Sequence, residues 1–218
     1  MAKETSEIET NPPSVKMNNS DKIILHLCAS KFGSDTRDYK AAGYDVRYIT
    51  KEIGVENYHP PENVYGIIAN PPCTMFSVAR ARTPNAKIPR SFREGMRLVQ
   101  ECLRIIWEAQ YNTLPRLLTP YLKFWVIENP ATGALRHFLG KPAFIYNPTE
   151  FGDNYNKRTA LWGKFNEPKR AVLNVQVPRK TDMKYLYTPM SERDREKRTD
   201  LRSIASPYFT KAFFLANP

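Results

Sequence analysis

The sequence predicts a doubly wound α/β sheet, mostly parallel. Three patterns carry that expectation: short, nearly continuous apolar runs of the kind that buried parallel strands show, a helix-period stripe between two of them, and polar or proline-containing segments directly after each run. Ile23 to Leu27 is the first run, followed by the small-residue loop from Cys28 to Ser34, which contains Gly33. A helix is expected from Asp35 to Ala42 with Gly43 as its cap, then a second strand at Val46 to Ile49. The third strand, Val64 to Ala69, must end where Pro71 and Pro72 begin, because prolines cannot continue a central ladder. Phe92, Met96, Val99, Leu103, Ile106 and Trp107 mark one face of a long crossover helix. Phe124 to Ile127 is the fourth strand, ending in Glu128-Asn129-Pro130, and shorter strand-like runs follow at Ala143 to Tyr146 and Ala171 to Val177. Ligands of such sheets sit at the carboxyl ends of the strands, an edge that would hold both Cys73 and Glu128.

The chain has 218 residues, 33 basic against 22 acidic, a net charge of +11, 41% hydrophobic residues and 18 prolines. That is enough for one domain with a real core. No apolar run approaches the roughly 18 residues that a membrane span needs, and the polar, acidic opening lacks the features of a secretory signal, so a cytoplasmic location is expected. Residues 1–21 read as a flexible tail and 22–218 as the folded domain. Cys28, Cys73 and Cys102 share no C-x-x-C spacing, which argues against structural zinc or a disulfide framework, and no metal site is expected. The positive charge raises the odds of a nucleic-acid or other polyanionic partner without deciding it.

Two residues stand out chemically. Cys73 follows two prolines at a strand end, a stiff loop that suits a nucleophile held at a fixed angle, although a lone cysteine is more often a small buried hydrophobe. Glu128 ends an apolar strand, where a carboxylate is either hydrogen-bonded or raised in pKa for proton transfer. In this order, with a crossover helix between them, Asn70-Pro71-Pro72-Cys73 resembles the Pro-Pro-Cys nucleophile loop of the C5-cytosine DNA methyltransferases, and Glu128-Asn129-Pro130 their Glu-Asn motif. Gly152-Asp153-Asn154-Tyr155, Lys157-Arg158-Thr159 and Leu161-Trp162-Gly163 resemble the basic motif that follows. Arg202 to Pro207, running into Phe209 and Ala212-Phe213-Phe214, is similar to the C-terminal segment of small phage or prophage members.

The resemblance covers roughly residues 23–218 and implies a Rossmann-like, S-adenosylmethionine-dependent methyltransferase fold acting on DNA in a bacterial host or phage-infected cell. It implies that Cys73 attacks C6 of a flipped cytosine, Glu128 assists at N3 and Arg158 holds phosphate near the reacting base. It assigns Leu27, Cys28, Ala29, Gly33, Glu52, Asn70 and Pro71 to the cofactor, and Arg80, Arg82, Asn129, Lys157 and Arg158 to nucleic acid. Between Arg80 and Arg97 six basic residues face Glu94 alone, a basic segment beside the nucleophile; its bland reading is a solvated helix start.

The chain departs from the family in two places. Its first loop, His26 to Gly33, keeps one glycine and lacks the leading acid, Glu52 and Glu56 being the nearest candidates to grip a ribose; His26 itself reads as a core histidine. A short insertion, 165–202, stands where a large target-recognition domain is usual, and its charge-alternating stretch Ser191 to Arg202 reads as a solvated helix or linker. These departures leave a related enzyme that modifies a pyrimidine base or nucleotide with a different donor, or a catalytically idle nucleic-acid-binding module, as alternatives. Methylation of an exocyclic amine fits less well, since Cys73 stands where that chemistry needs an aromatic residue.

Overall fold

The computed structural model describes residues 18–30, 33–78, 89–111, 122–171 and 203–218. A six-stranded mixed sheet forms its centre: β1 (Ile23–Leu27), β2 (Asp45–Ile49), β3 (Val64–Ala69), β4 (Phe124–Pro130), β5 (Phe144–Tyr146) and β6 (Thr159–Lys164), in the order β2-β1-β3-β4-β6-β5. β2, β1, β3 and β4 run parallel, while β6 lies antiparallel between β4 and β5. The α/β class and the mostly parallel sheet expected from the sequence are therefore present.

Side-chain alternation divides the core in two. Leu25, Leu27, Ile67, Ala69 and Ile127 pack with Val99, Cys102, Ile105 and Ile106 of α2 (Phe92–Tyr111). On the other face Ile24, Ile68, Phe124, Val126 and Leu161 meet Tyr39 of α1 (Arg37–Ala41) and Phe209 and Phe213 of a C-terminal helix (Pro207–Ala216). The β1–β2 crossover thus uses one face and the β3–β4 crossover the other, and the two leave in opposite directions. Such a sheet has its switch point between β1 and β3.

Several elements differ from expectation for identifiable reasons. β4 does not stop at Ile127 but continues through Pro130, because β6 pairs with it at Glu128↔Leu161, Asn129↔Ala160 and Pro130↔Thr159. Thr159 and Leu161-Trp162-Gly163, the later part of the segment that resembles a basic motif, lie in that strand. The buried face of α2 runs through Gly95, Val99, Cys102, Ile105, Ile106 and Ala109, rotated from the expected stripe, so Phe92 and Trp107 are exposed. Gly95 lets the helix approach Met75 and Phe76, whose atoms already fill the position of an added Cβ. Asn19–Asp21 form a 3-10 turn, and Asn19 Nδ2 donates to Ala42 O at 2.9 Å, which ties that turn to the end of α1. The run Ala171 to Val177 lies, except for Ala171, outside the described residues, as do residues 1–17 and the stretch Ser191 to Arg202 up to its last residue. Among the described residues no helix is long and apolar enough to cross a membrane.

β6 reaches β4 only because Gly163 has no side chain: its φ is +154°, and an added Cβ would strike Trp125 O, with Trp125 C and Val126 Cα both at 3.0 Å. Gly163→Ala is expected to destabilise the fold by about 2–3 kcal/mol. Urea denaturation of the variant against wild type checks this.

Candidate functional site at the carboxyl edge of the sheet

The loops after β1, β3 and β4 meet at one edge. Asn70 N donates to Leu27 O at 3.0 Å, which extends the β1–β3 ladder by one step and fixes the start of the proline loop. Pro71 is buried and Pro72 exposed; Cys73–Met75 then form a 3-10 turn, with Phe76 N and Ser77 N both donating to Cys73 O at 3.0 and 2.8 Å. Phe76, buried beside α2, anchors the turn from below. The Cys73 thiol is half-buried and not in a disulfide.

Glu128 and Asn129 are neighbours on β4 and so point to opposite faces. Asn129 is 1% exposed, and its Nδ2 donates to Pro71 O at 2.9 Å. Expected at the nucleic acid, the side chain here braces the proline loop from inside. On the other face Asn70 Nδ2 donates to Glu128 Oε2 at 3.3 Å and to Asp35 Oδ1 at 3.4 Å. The two motifs are thus locked reciprocally, each by an asparagine of the other.

The orientation of Asn70 has a cause one strand further on. His26, buried on β1, donates from Nε2 to Asn70 Oδ1 at 2.9 Å, which leaves Nδ2 to face the carboxylates. His26 Nδ1 then accepts from the Thr36 hydroxyl at 3.3 Å. Burial holds the His26 pKa below its usual value against the opposing pull of Asp35 and the Asn70 bond, so the ring is neutral with one donor and one acceptor. His26 is a core histidine, as read from sequence, but one that aims a polar chain at the site.

Glu128 is half-buried by surface exposure, and its carboxyl group sits among Ile68, Val126, Leu161, Phe209 and Phe213, which with Asp35 and Thr210 line a small pocket. Burial raises its pKa above the ordinary carboxylate value; the Lys157 charge opposes this, Asp35 reinforces it, and the Asn70 bond opposes it. A carboxyl group so placed can hold and deliver a proton nearer neutrality than an exposed one. Lys157 is the half-buried cation acting on Glu128, whereas Arg158 is exposed and offers its backbone O to Ala131 N at 3.0 Å.

The residues expected to hold a cofactor divide into two groups. Cys28, Ala29, Gly33, Asn70 and Pro71 gather at the ends of β1 and β3, beside the switch point. Cys28 takes a left-handed φ of 51°, and its Sγ lies 3.8 Å from Cys102 Sγ. Gly33, at φ +53°, is where the chain turns back: the Tyr48 ring fills the space an added Cβ would need. Leu27 differs, since its side chain is buried against α2 and its carbonyl is bonded to Asn70, leaving no group of its own for a ligand. Glu52 is exposed in the turn after β2, its carboxyl held low chiefly by the Thr50 hydroxyl, and no contact joins it to the edge cluster among those described. Glu56 pairs with Arg97 at 2.5 Å. Arg80 and Arg82 lie outside the described residues. Among the described residues no group of three His, Cys, Asp or Glu is arranged to hold a metal ion.

Two contributions escaped the sequence reading. Asp35 follows the first loop and reaches the same pocket as Glu128, where its only local signal is an acid at a helix start. The C-terminal segment is stitched to that region: Ala205 N donates to Ser34 Oγ at 2.9 Å, Arg37 Nη2 to Ala205 O at 2.9 Å, and Ser206 Oγ bonds Asp153 while capping the C-terminal helix by accepting from Phe209 N. A scan against protein-family models and a search among curated proteins each returned no match.

The lowered His26 pKa gives a pH dependence with a definite sign. Above the usual value of 6.5 both folded and unfolded chains hold the ring neutral; as pH falls through 6.5 the unfolded chain takes up a proton first, and stability is lost toward the lowered folded value. The stability difference between wild type and His26→Asn, read from urea midpoints from about pH 7.5 down to about pH 5, should shift against wild type by up to about 1.4 kcal/mol per pH unit, which separates the His26 share from the opposing share of Glu128. In His26→Asn this share of the slope should vanish.

Proposed function

We propose that the chain is a DNA C5-cytosine methyltransferase of small phage or prophage type, with Cys73 as nucleophile and Glu128 as the acid beside it. The observation that carries this reading is the reciprocal brace, Asn70 to Glu128 and Asn129 to Pro71, which holds a thiol loop and a carboxyl with a raised pKa at one sheet edge.

The chemistry uses both. C5 of cytosine is a poor nucleophile until a nucleophile adds at C6, so the Cys73 thiolate forms a bond to C6 while Glu128 protonates or hydrogen-bonds N3, where the electrons displaced from the C5–C6 double bond are stabilised. C5, now electron-rich, takes the methyl group; loss of the C5 proton to a base then re-forms the double bond and expels the thiolate. The Asn70 and His26 chain keeps the Glu128 carboxyl fixed in orientation, and Lys157 limits how far burial raises its pKa. The target base must be flipped or unpaired for these atoms to reach it.

S-adenosylmethionine supplies the methyl group in this reading. One feature beside the carboxyl end of β1 supports it: Asp35 offers a carboxylate to a cationic ligand where the first loop lacks its leading acid. Cys28, Ala29 and Asn70 would lie near it. Binding to DNA would draw on the basic residues, Lys157 and Arg158 among those described.

Incubation with tritiated S-adenosylmethionine and mixed-sequence DNA tests the reading. Label on DNA is expected with wild type and should fall by at least about 10³-fold in Cys73→Ser, with an unchanged melting curve. Retained turnover in that variant would exclude the cysteine mechanism. Absence of label from folded wild type that still binds DNA would favour a different donor or an idle binding module.

Glu128→Gln separates catalysis from stability. A raised folded pKa means that protonated Glu128 is the favoured folded form, so stability is full below its ordinary value of 4.5 and declines as pH rises through the raised one. Glu128→Gln should therefore melt at or above wild type near about pH 8 and match it near about pH 4, while losing methyl transfer at both. A variant that melts lower at the higher pH would mean the carboxylate is a net stabiliser.

A further inference from the structure

Immediately beyond the Cys73 turn, three aromatic rings from three elements converge. Phe76, from the turn, is 1% exposed; Phe92, at the start of α2, is 38% exposed; Phe138, on α3 (Arg136–Leu139), is 46% exposed. Phe92 and Phe138 have ring centroids 5.5 Å apart, and Phe76 lies beneath, 6.3 Å from Phe92 and 6.1 Å from Phe138. Single exposed hydrophobic residues need no explanation, but contiguous rings on a rigid base are a different matter. The base is rigid: Ala134 N donates to Phe76 O at 2.9 Å, and Phe76 packs closely against Gly95 of α2.

Cations border the rings. The Arg90 guanidinium lies 5.4 Å from the Phe92 ring centroid and donates from Nη2 to Ser77 O at 2.7 Å, so it spans from the helix approach to the turn after Cys73. Arg93, Arg136 and His137 are exposed next to the rings in sequence, and the nearest acid in α2, Glu94, lies 3.6 Å from Arg97. An apolar, π-faced patch with a positive border is complementary to nucleobases on a phosphate backbone, and rings can stack on a base only where its face is open.

We propose that Phe92 and Phe138, with Arg90, form a stacking platform for an unpaired nucleobase next to the reacting pyrimidine, and that the chain therefore engages single-stranded DNA in preference to duplex. The inference rests on the nucleic-acid reading of the Cys73–Glu128 site and extends it to strand form and a binding surface. The platform continues directly from the Cys73 turn through Phe76, so a base stacked there would be held beside the thiol loop. It also supplies affinity without sequence readout.

Fluorescence anisotropy tests this with a labelled single-stranded oligonucleotide about 15 nucleotides long and its blunt duplex, without methyl donor and at one salt concentration. Wild type and Cys73→Ser should both bind the single strand more tightly than the duplex. Phe138→Ala and Phe92→Ala should each weaken single-strand binding by about ten-fold and leave duplex binding unchanged. Phe138→Trp should retain binding, and Phe138→Leu, which keeps apolar area but no π-face, should not. Phe138 is the more exposed ring, so its variants should melt as wild type does. Single-strand binding unaffected by Phe138→Ala, rescue by Phe138→Leu, or preference for duplex would overturn the platform while leaving the methyltransferase reading intact. Failure of wild type to bind either form would sink both, and label transfer measured separately distinguishes a catalytic failure from a binding one.

Discussion

A carboxyl group on an interior strand, turned toward an apolar helix face, is the constraint around which this sheet edge is built. Glu128 cannot be left unanswered where it stands, because burying a carboxylate without partners costs several kcal/mol. The fold answers with a nearby ammonium from Lys157 and an amide from Asn70. Asn70 presents that amide because His26 Nε2 occupies its oxygen, and the other ring nitrogen of His26 is met by Thr36. Each step fixes the next, so one ionisable group dictates the polar contents of three strand ends.

The same edge shows why Pro71 and Asn129 belong together. A loop with two prolines has lost two backbone donors, and its carbonyls must find partners elsewhere. Asn129 supplies one from beneath, on the face of β4 opposite to Glu128. The alternation of a strand thereby puts two adjacent residues to two tasks: one brings a titratable group to the pocket, the other holds the thiol loop in register. Cys73 gains its position from this brace and from the buried ring of Phe76 rather than from the prolines alone.

The C-terminal segment closes the opposite side. Its residues reach Ser34, Arg37 and Asp153, and its helix covers the sheet face on which Glu128 lies, with Phe209 and Phe213 walling the pocket. Tyr39 donates from its hydroxyl to Asn217 O at 2.7 Å and Asn166 and Asn217 bond each other, so the C-terminal helix is held by the first crossover and by the segment that follows β6. Removal of this segment would expose both the aromatic core of that face and the raised carboxyl, making the chain end part of the site's electrostatics.

Local patterns in the sequence were sufficient for much of this. Continuous apolar runs marked β1, β3 and most of β4, since strands buried on both faces need no alternation, and the proline pair marked where the third strand must stop. Cys73 and Glu128 were legible for the same reason: each is a reactive type directly after such a run. What tertiary structure decided was everything that depends on a partner distant in the chain. β6 forms a strand because β4 offers it an edge and Gly163 leaves room, β4 runs on through Pro130 because β6 pairs with it, and the buried face of α2 is set by where Met75, Phe76 and Cys28 lie. Asn129 points inward and Lys157 lies where its charge acts on Glu128 because strand parity and burial, not residue type, determine which side chain meets the site. Sequence periodicity reports how a residue relates to its neighbours along the chain, whereas a hydrogen-bond network across three strands exists only once their register is fixed.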